Sequence, residues 1–217
     1  MKKLLIPIIL LSLSFSIFAQ KDVKAKKILE EVSKKTKSYS TILLKFNYIM
    51  DNKVEKVQDT TKGTIYIKGD MFKLFFKGNE VFSDGKTIWT HQVDAGELTI
   101  TEPDPNDANA LNPQMLLKVY EKGFKYKFIS ETAKGAQTFY QIDLYPENPK
   151  DKNYSIVKLK IDKAKSQLQS IKMIGKEGID YTIDLKEFKP DVKVNDSMFK
   201  FDPSKFPKNL EINDMRD

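Results

Sequence analysis

From residue 41 onward, large apolar side chains recur at every second position, and that spacing constrains the fold more than any other feature. Ile42, Leu44, Phe46, Tyr48 and Met50 stand in succession on one face of a strand, with Lys45, Asn47 and Asp51 on the other. Successive strand residues point to opposite faces, so the segment is dry on one side and wet on the other. The alternation returns with Ile65 and Ile67, with Phe72, Leu74 and Phe76, with Ile88, and with Leu98 and Ile100. Lys68-Gly69-Asp70, Lys77-Gly78-Asn79, Asp84-Gly85 and Asp94-Ala95-Gly96 separate these runs. Turns this short can only reverse a strand, so the runs form an antiparallel meander.

The pattern stops in a loop over residues 102–111, rich in proline, aspartate and asparagine. Asn112 and Pro113 then read as an N-cap with proline at the first helical position. A short helix follows, presenting Met115, Leu116, Val119 and Tyr120 before Gly123 ends it. Strands resume at Phe124, Tyr126 and Phe128, then at Tyr140, Ile142 and Leu144, then at Val157, Leu159 and Ile161. Ile171 and Met173 mark another, and Ile179, Tyr181, Ile183 and Leu185 the last. About ten or eleven strands with no internal boundary predict a single domain, residues 20–217. One antiparallel sheet of that width curls into a barrel or part of one.

The first residues read differently. Lys2 and Lys3 precede an apolar run over residues 4–18, and Ile17-Phe18-Ala19 offers a small residue for cleavage. The run is short for a membrane-spanning helix of about 20 residues, so residues 1–19 are expected to be a signal peptide cut before Gln20. The chain has no cysteine, which excludes disulfides, thiolate metal sites and the cysteine-linked lipid anchor of bacterial lipoproteins. The expectation is therefore an exported, unanchored periplasmic protein. Losing Lys2 and Lys3 with the leader lowers the formal net charge from +7 to +5. The remaining lysines are scattered singly, the pattern of a solvated surface and not of a nucleic-acid groove, although contact with anionic headgroups stays open. Residues 22–39 read as an amphipathic helix with Ile28, Leu29, Val32 and Thr36 on one side.

Chemistry is harder to find. The stretch VFSDGKTIWTH holds the only tryptophan, Trp89, and the only histidine, His91. His91 has no cysteine to activate and no G-x-S-x-G serine, so the residue types for a triad are missing. No EF-hand or H-E-x-x-H spacing occurs, and no metal or other cofactor is expected. Asp84-Gly85 reads as the tight turn of a hairpin joining Phe82 to Trp89. A secreted hydrolase would need a buried, paired carboxylate, and the aspartates here fall mostly in turns.

Three segments in order resemble the LolA family of periplasmic outer-membrane lipoprotein carriers. They are the helix from residue 27 running into the strand Ile42, Leu44, Phe46; the run TKGTIYIKGDMFKLFF followed by VFSDGKTIWTH; and the tail FKFDPSKFPKNLEINDMRD. The resemblance implies a mainly β protein with some helix: an incomplete, half-open antiparallel barrel of about 11 strands, its helices a lid over a hydrophobic cavity. It implies a carrier, not an enzyme, that binds the acyl chains of lipoproteins. Cargo would come from an inner-membrane ABC transporter and pass to an outer-membrane acceptor of the same fold; nucleic acid is not an expected partner, and the chain is expected to be a monomer. Where family members carry Arg-Pro after the first long hairpin strand, a position tied to lid closure, this chain has Gly69-Asp70. From the apolar faces the candidate lining is Leu44, Phe46, Tyr48, Phe72, Leu74, Trp89 and Tyr181, with Met115 and Leu116 from the lid helix. Alternation does not report volume, so cavity and packed core stay open for each. A sensor or adaptor of the same fold in envelope-stress signalling is the alternative reading.

Overall fold

The structure is a computed structural model of the chain, and it describes residues 22–103 and 123–216. The leader, Gln20, most of the 102–111 loop and the helix expected from residue 112, with Met115 and Leu116, lie outside the described residues.

The alternating runs become two meanders. The first comprises β1 (Ile42–Asn52), β2 (Val57–Lys68), β3 (Met71–Phe76), β4 (Asn79–Ser83), β5 (Ile88–Gln92) and β6 (Glu97–Thr101). The second comprises β7 (Phe124–Lys134), β8 (Gln137–Pro146), β9 (Tyr154–Asp162), β10 (Gln167–Gly175) and β11 (Ile179–Pro190). They join along β1 and β11, whose antiparallel register runs from Ile42 opposite Pro190 to Asn52 opposite Ile179. A late strand, β12 (Glu211–Asp214), adds to β6 in parallel, giving the order β12-β6-β5-β4-β3-β2-β1-β11-β10-β9-β8-β7. Twelve strands among the described residues slightly exceed the expected eleven. All four residues of β12 are exposed, so it carries no apolar alternation that would announce it. The sheet does not close: β12 and β7 are its two edges among the described residues.

One amphipathic helix, α1 (Val23–Lys37), buries Ala25, Ile28, Leu29 and Val32 against the sheet. Asp22 caps it, its Oδ1 accepting from the Ala25 N–H at 3.1 Å. The other oxygen of the same carboxylate accepts from the Phe128 N–H of β7 at 2.8 Å. Asp22 thus caps a helix and blunts a sheet edge at once. Burial works to raise its carboxyl, but the N–H groups of Phe128 and Ala25 outweigh that and hold it below the usual range. Asp22→Ala is expected to cost about 1–2 kcal/mol in denaturant unfolding, more than an isolated cap. An unchanged midpoint would show that the edge contact contributes nothing.

The helix fixes the curvature. Its N-cap sits on β7, and its last turn, Thr36 and Lys37, faces Ile67, Gly69 and Asp70 at the β2–β3 turn. Strands β7 and β2 are six places apart in the sheet order, about 29 Å if the sheet were flat. A helix of this length spans about 22 Å, so the sheet must curl up around it. The main core joins α1 to Leu44 and Phe46 of β1, Ile65 of β2, Leu74 of β3, Leu144 of β8 and Leu159 of β9.

A second, smaller core lies on the outer face. Phe82 of β4 is buried beneath Phe201 and Phe206, with ring centroids at 6.2 and 6.0 Å, and Phe199 is fully buried beside them. Lys68 of β2 pairs with Asp196 at the start of this C-terminal segment. On the same outer face Asp180 is 1% exposed yet ionised between Lys53 at 2.7 Å and Lys172 at 3.1 Å. Burial works to raise that carboxyl, and the two ammonium groups overcome it and hold it low.

Candidate functional site

Strand register decides which candidates share a face. Leu44 stands opposite Ile65, Ile65 opposite Leu74, and Leu74 opposite Val81, so these form one row of the inner face. Phe46, Gly63 and Phe76 form the next. Leu44, Phe46, Phe72 and Leu74 are all buried in the main core with α1. Tyr48 and Tyr181 lie on the same face but are only half-buried, their rings 5.9 Å apart. Phe76 joins them, 5.3 Å from Tyr48 and 5.9 Å from Phe46.

Trp89 is elsewhere. It stands opposite Phe82, which stands opposite Lys73, and Lys73 alternates with the inward Phe72 and Leu74. Trp89 therefore belongs to the outer face, as do Leu98 and Ile100 in β6, a correction to the sequence reading. The expected hairpin is also longer than two residues. Residues 84–87 form the loop, with Gly85 at a φ of 88° and Asp84 Oδ1 accepting from the N–H groups of Lys86 and Thr87 at 3.0 and 2.9 Å. Burial works to raise Asp84, and the N–H groups of Thr87 and Lys86 prevail and lower it. Asp84 is a turn residue in the structure, as the sequence implied. His91 stacks edge-on against Phe206 at 4.9 Å, with Nδ1 3.9 Å from Glu80. It belongs to the outer core.

The inner face divides into two zones. One, packed with α1 in the main core, is buried and dry. Further along the strands, Met50 stands opposite Tyr181, Tyr181 opposite Met173, Met173 opposite Val157, Val157 opposite Leu144, and Leu144 opposite Tyr126. Met50, Tyr126, Met173 and Tyr181 in this row are half-exposed, as are Tyr48 and Tyr154 beside it, while Val157 and Leu144 beneath are buried. The sequence reading missed Met50, Tyr126, Tyr154 and Met173 as site residues, although the same alternation that named Tyr48 runs through three of them. Burial, with the Tyr181 hydroxyl alongside, pushes the Tyr48 hydroxyl up, and burial does the same to Tyr154. Tyrosine and methionine are residues that meet an apolar group while remaining wettable or adaptable.

At the far end of α1, Gly69 takes the place where the resemblance would put an arginine. It sits at a φ of 56° in the two-residue β2–β3 turn, with open space where a Cβ would stand. Thr36, Tyr39, Ser40, Ile42 and Ile67 help line a pocket of about 270 Å³ there. That is below the usual range of roughly 300–1,000 Å³ for a small-molecule site. Among the described residues no cluster of three or more metal-ligating side chains occurs, and no helix is long and apolar enough to cross a membrane.

A curled, unclosed antiparallel sheet with an amphipathic helix across its apolar inner face defines a half-open barrel. The sequence profile described as "Outer membrane lipoprotein carrier protein LolA" matches residues 35–202, well over half of the chain, and the chain belongs to that family. No curated protein matches the sequence significantly. Among solved structures, an uncharacterized conserved protein from Thermus thermophilus is similar at 14% identity and a TM-score of 0.58, covering 88% of this chain and 99% of that one. A DUF1329 family protein from Desulfovibrio piger follows at 12% identity and 0.48, over 84% and 99%. A putative outer membrane lipoprotein-sorting protein domain from Vibrio parahaemolyticus has 11% identity and 0.44, over 81% and 97%. The first of these shares the fold.

Proposed function

We infer that the protein is a periplasmic carrier that shields the acyl chains of lipoproteins against its inner face and moves them from the inner to the outer membrane. The observation that carries this is the half-exposed group of Met50, Tyr126, Met173 and Tyr181, with Tyr48 beside them, next to the buried main core. A soluble monomer gains nothing by leaving large aromatic and thioether groups side by side in water, whereas an apolar ligand would complete their burial. The match to a family described as an outer membrane lipoprotein carrier supports lipid-modified protein as that ligand. Acyl chains need such an escort: at about 0.8 kcal/mol per methylene, exposing a triacylated anchor to water costs on the order of 30 kcal/mol. In this reading the chain performs no covalent chemistry. An inner-membrane ABC transporter loads it, and an outer-membrane acceptor unloads it.

Native mass spectrometry of the protein purified from an envelope fraction, with lipid extraction alongside, tests the reading. A bound diacyl or triacyl lipoprotein is the expected result. An empty protein that also fails to take lipoproteins from inner-membrane vesicles would overturn it.

A further inference from the structure

Strand β2 outruns one of its two neighbours. On one side it pairs with β1 from Val57, opposite Asn52, to Ile67, opposite Ile42. On the other side β3 reaches only from Lys68, opposite Met71, to Gly63, opposite Phe76. Among the described residues no strand takes that side of residues 57–62.

Parity fixes which backbone groups face outward there. Lys68 and Met71 flank the two-residue turn Gly69-Asp70, so their N–H and C=O groups bond to each other. Counting back in twos, Tyr66 and Thr64 face β3, and Lys62, Thr60 and Gln58 each present a donor and an acceptor to the same side. No bulge in β2 interrupts the count. One contact shows independently that the edge is open. The Thr60 N–H, which a neighbouring strand would otherwise take, donates to the carboxylate of the adjacent residue, Asp59 Oδ1, at 2.8 Å. A side chain stands in for a strand.

Proteins commonly keep such edges short, bulged or covered, because an open edge recruits other strands. This one runs unbulged over residues 57–62 and carries the β-branched Val57, Thr60 and Thr61. Val57, Gln58, Asp59 and Thr60 are all exposed, although they alternate between the two faces of the sheet. The edge also borders the half-exposed inner face, since Tyr48 stands opposite Thr61 and Met50 opposite Asp59. A strand added to β2 would lie two strand spacings from β1, about 10 Å.

We propose that this edge docks the polypeptide of the cargo. The segment next to the acylated residue pairs with residues 57–62 as an added strand, in the line that β3 vacates, while the acyl chains lie on Tyr48, Met50 and Tyr181. A carbonyl of the cargo accepts from Thr60 in place of Asp59, and its backbone bonds to Gln58 and Lys62 as well. Affinity from main-chain bonds is indifferent to sequence, so one edge serves cargoes that share only an extended segment. This rests on the acyl-binding reading above and adds how the protein part of a lipoprotein is held.

The test uses the wild-type protein and displacement of a fluorescent apolar probe. The ligands are N-palmitoyl glycinamide, an N-palmitoyl octapeptide of serine, threonine and glutamine, and the same octapeptide methylated at alternate amide nitrogens in each of the two registers. Methylation removes the donors along one edge of the peptide and leaves its side chains and acyl chain alone. The octapeptide should bind about tenfold more tightly than the glycinamide, and one methylated register should lose that gain. Hydrogen exchange at Gln58, Thr60 and Lys62 should be slower with the octapeptide bound than with the glycinamide bound. Equal affinity for octapeptide and glycinamide, a gain that both methylated peptides keep, or unchanged exchange at these three amides overturns the added strand and leaves acyl binding standing. If neither the glycinamide nor the octapeptide displaces the probe, the acyl-binding reading falls, and the added strand with it.

Discussion

Gly63→Ala should destabilise the protein by about 2–3 kcal/mol, unusual for a single methyl group in a strand. Gly63 of β2 lies directly opposite Phe46 of β1, and the Phe46 ring covers it. A Cβ at Gly63 would fall 2.2 Å from the ring's Cζ and 2.6 Å from Cε2. The backbone at Gly63 has no positive φ, so alanine is acceptable to the chain itself and only the ring objects. The ring in turn is fixed by its neighbours, buried and 5.9 Å from Phe76. Phe46→Ala alone should cost about 3–5 kcal/mol as a core truncation. In that background the cost of Gly63→Ala should fall to near zero, because the atoms it collides with are gone. Denaturant midpoints for the four proteins of the cycle decide the matter. Additive costs would mean that the ring does not rest on the glycine.

Tyr181→Asp should weaken binding of an apolar probe about tenfold or more while the protein stays folded. Its ring is half-exposed beside Tyr48, with Met50 and Met173 opposite it on the two flanking strands. A carboxylate there removes apolar surface and sets a charge where an acyl chain would lie. Trp89→Ala should do the reverse. It should cost about 2–3 kcal/mol of stability by thinning the outer core, and leave affinity per folded molecule unchanged. Fluorescence titration of the two variants, each corrected for its folded fraction, separates the faces. Equal losses of affinity would sink the assignment of ligand to the inner face.

That contrast shows where the sequence was informative and where it was silent. Leu44, Phe46, Phe72 and Leu74 are legible as dry because each strand's alternation is complete within a few residues, and the main core contains all four. Trp89 attracts an inward assignment by its size, while its face follows from register carried through two hairpins from Phe72. Local alternation holds no record of that parity. The outer core is invisible in the sequence for a related reason: Phe82 and Leu98 look inward until Phe199, Phe201 and Phe206 arrive from the far end of the chain to cover Phe82. Asp22 is readable as a helix cap, but its second bond, to Phe128, joins residues distant in sequence. Met115 and Leu116 lie outside the described residues.

The pairing of β1 with β11 also governs when the molecule can come into being. Most strands here find their neighbour one turn away, so each meander can zip as it is made. The join at the middle of the sheet is different: Ile42 must wait for Pro190, and Asn52 for Ile179. Contacts so remote in sequence form late and slowly. Until β11 has been delivered, β1 keeps an open edge and α1 has only part of its bed. A fold whose central bond depends on one of its last strands to emerge stays open until the chain is nearly complete.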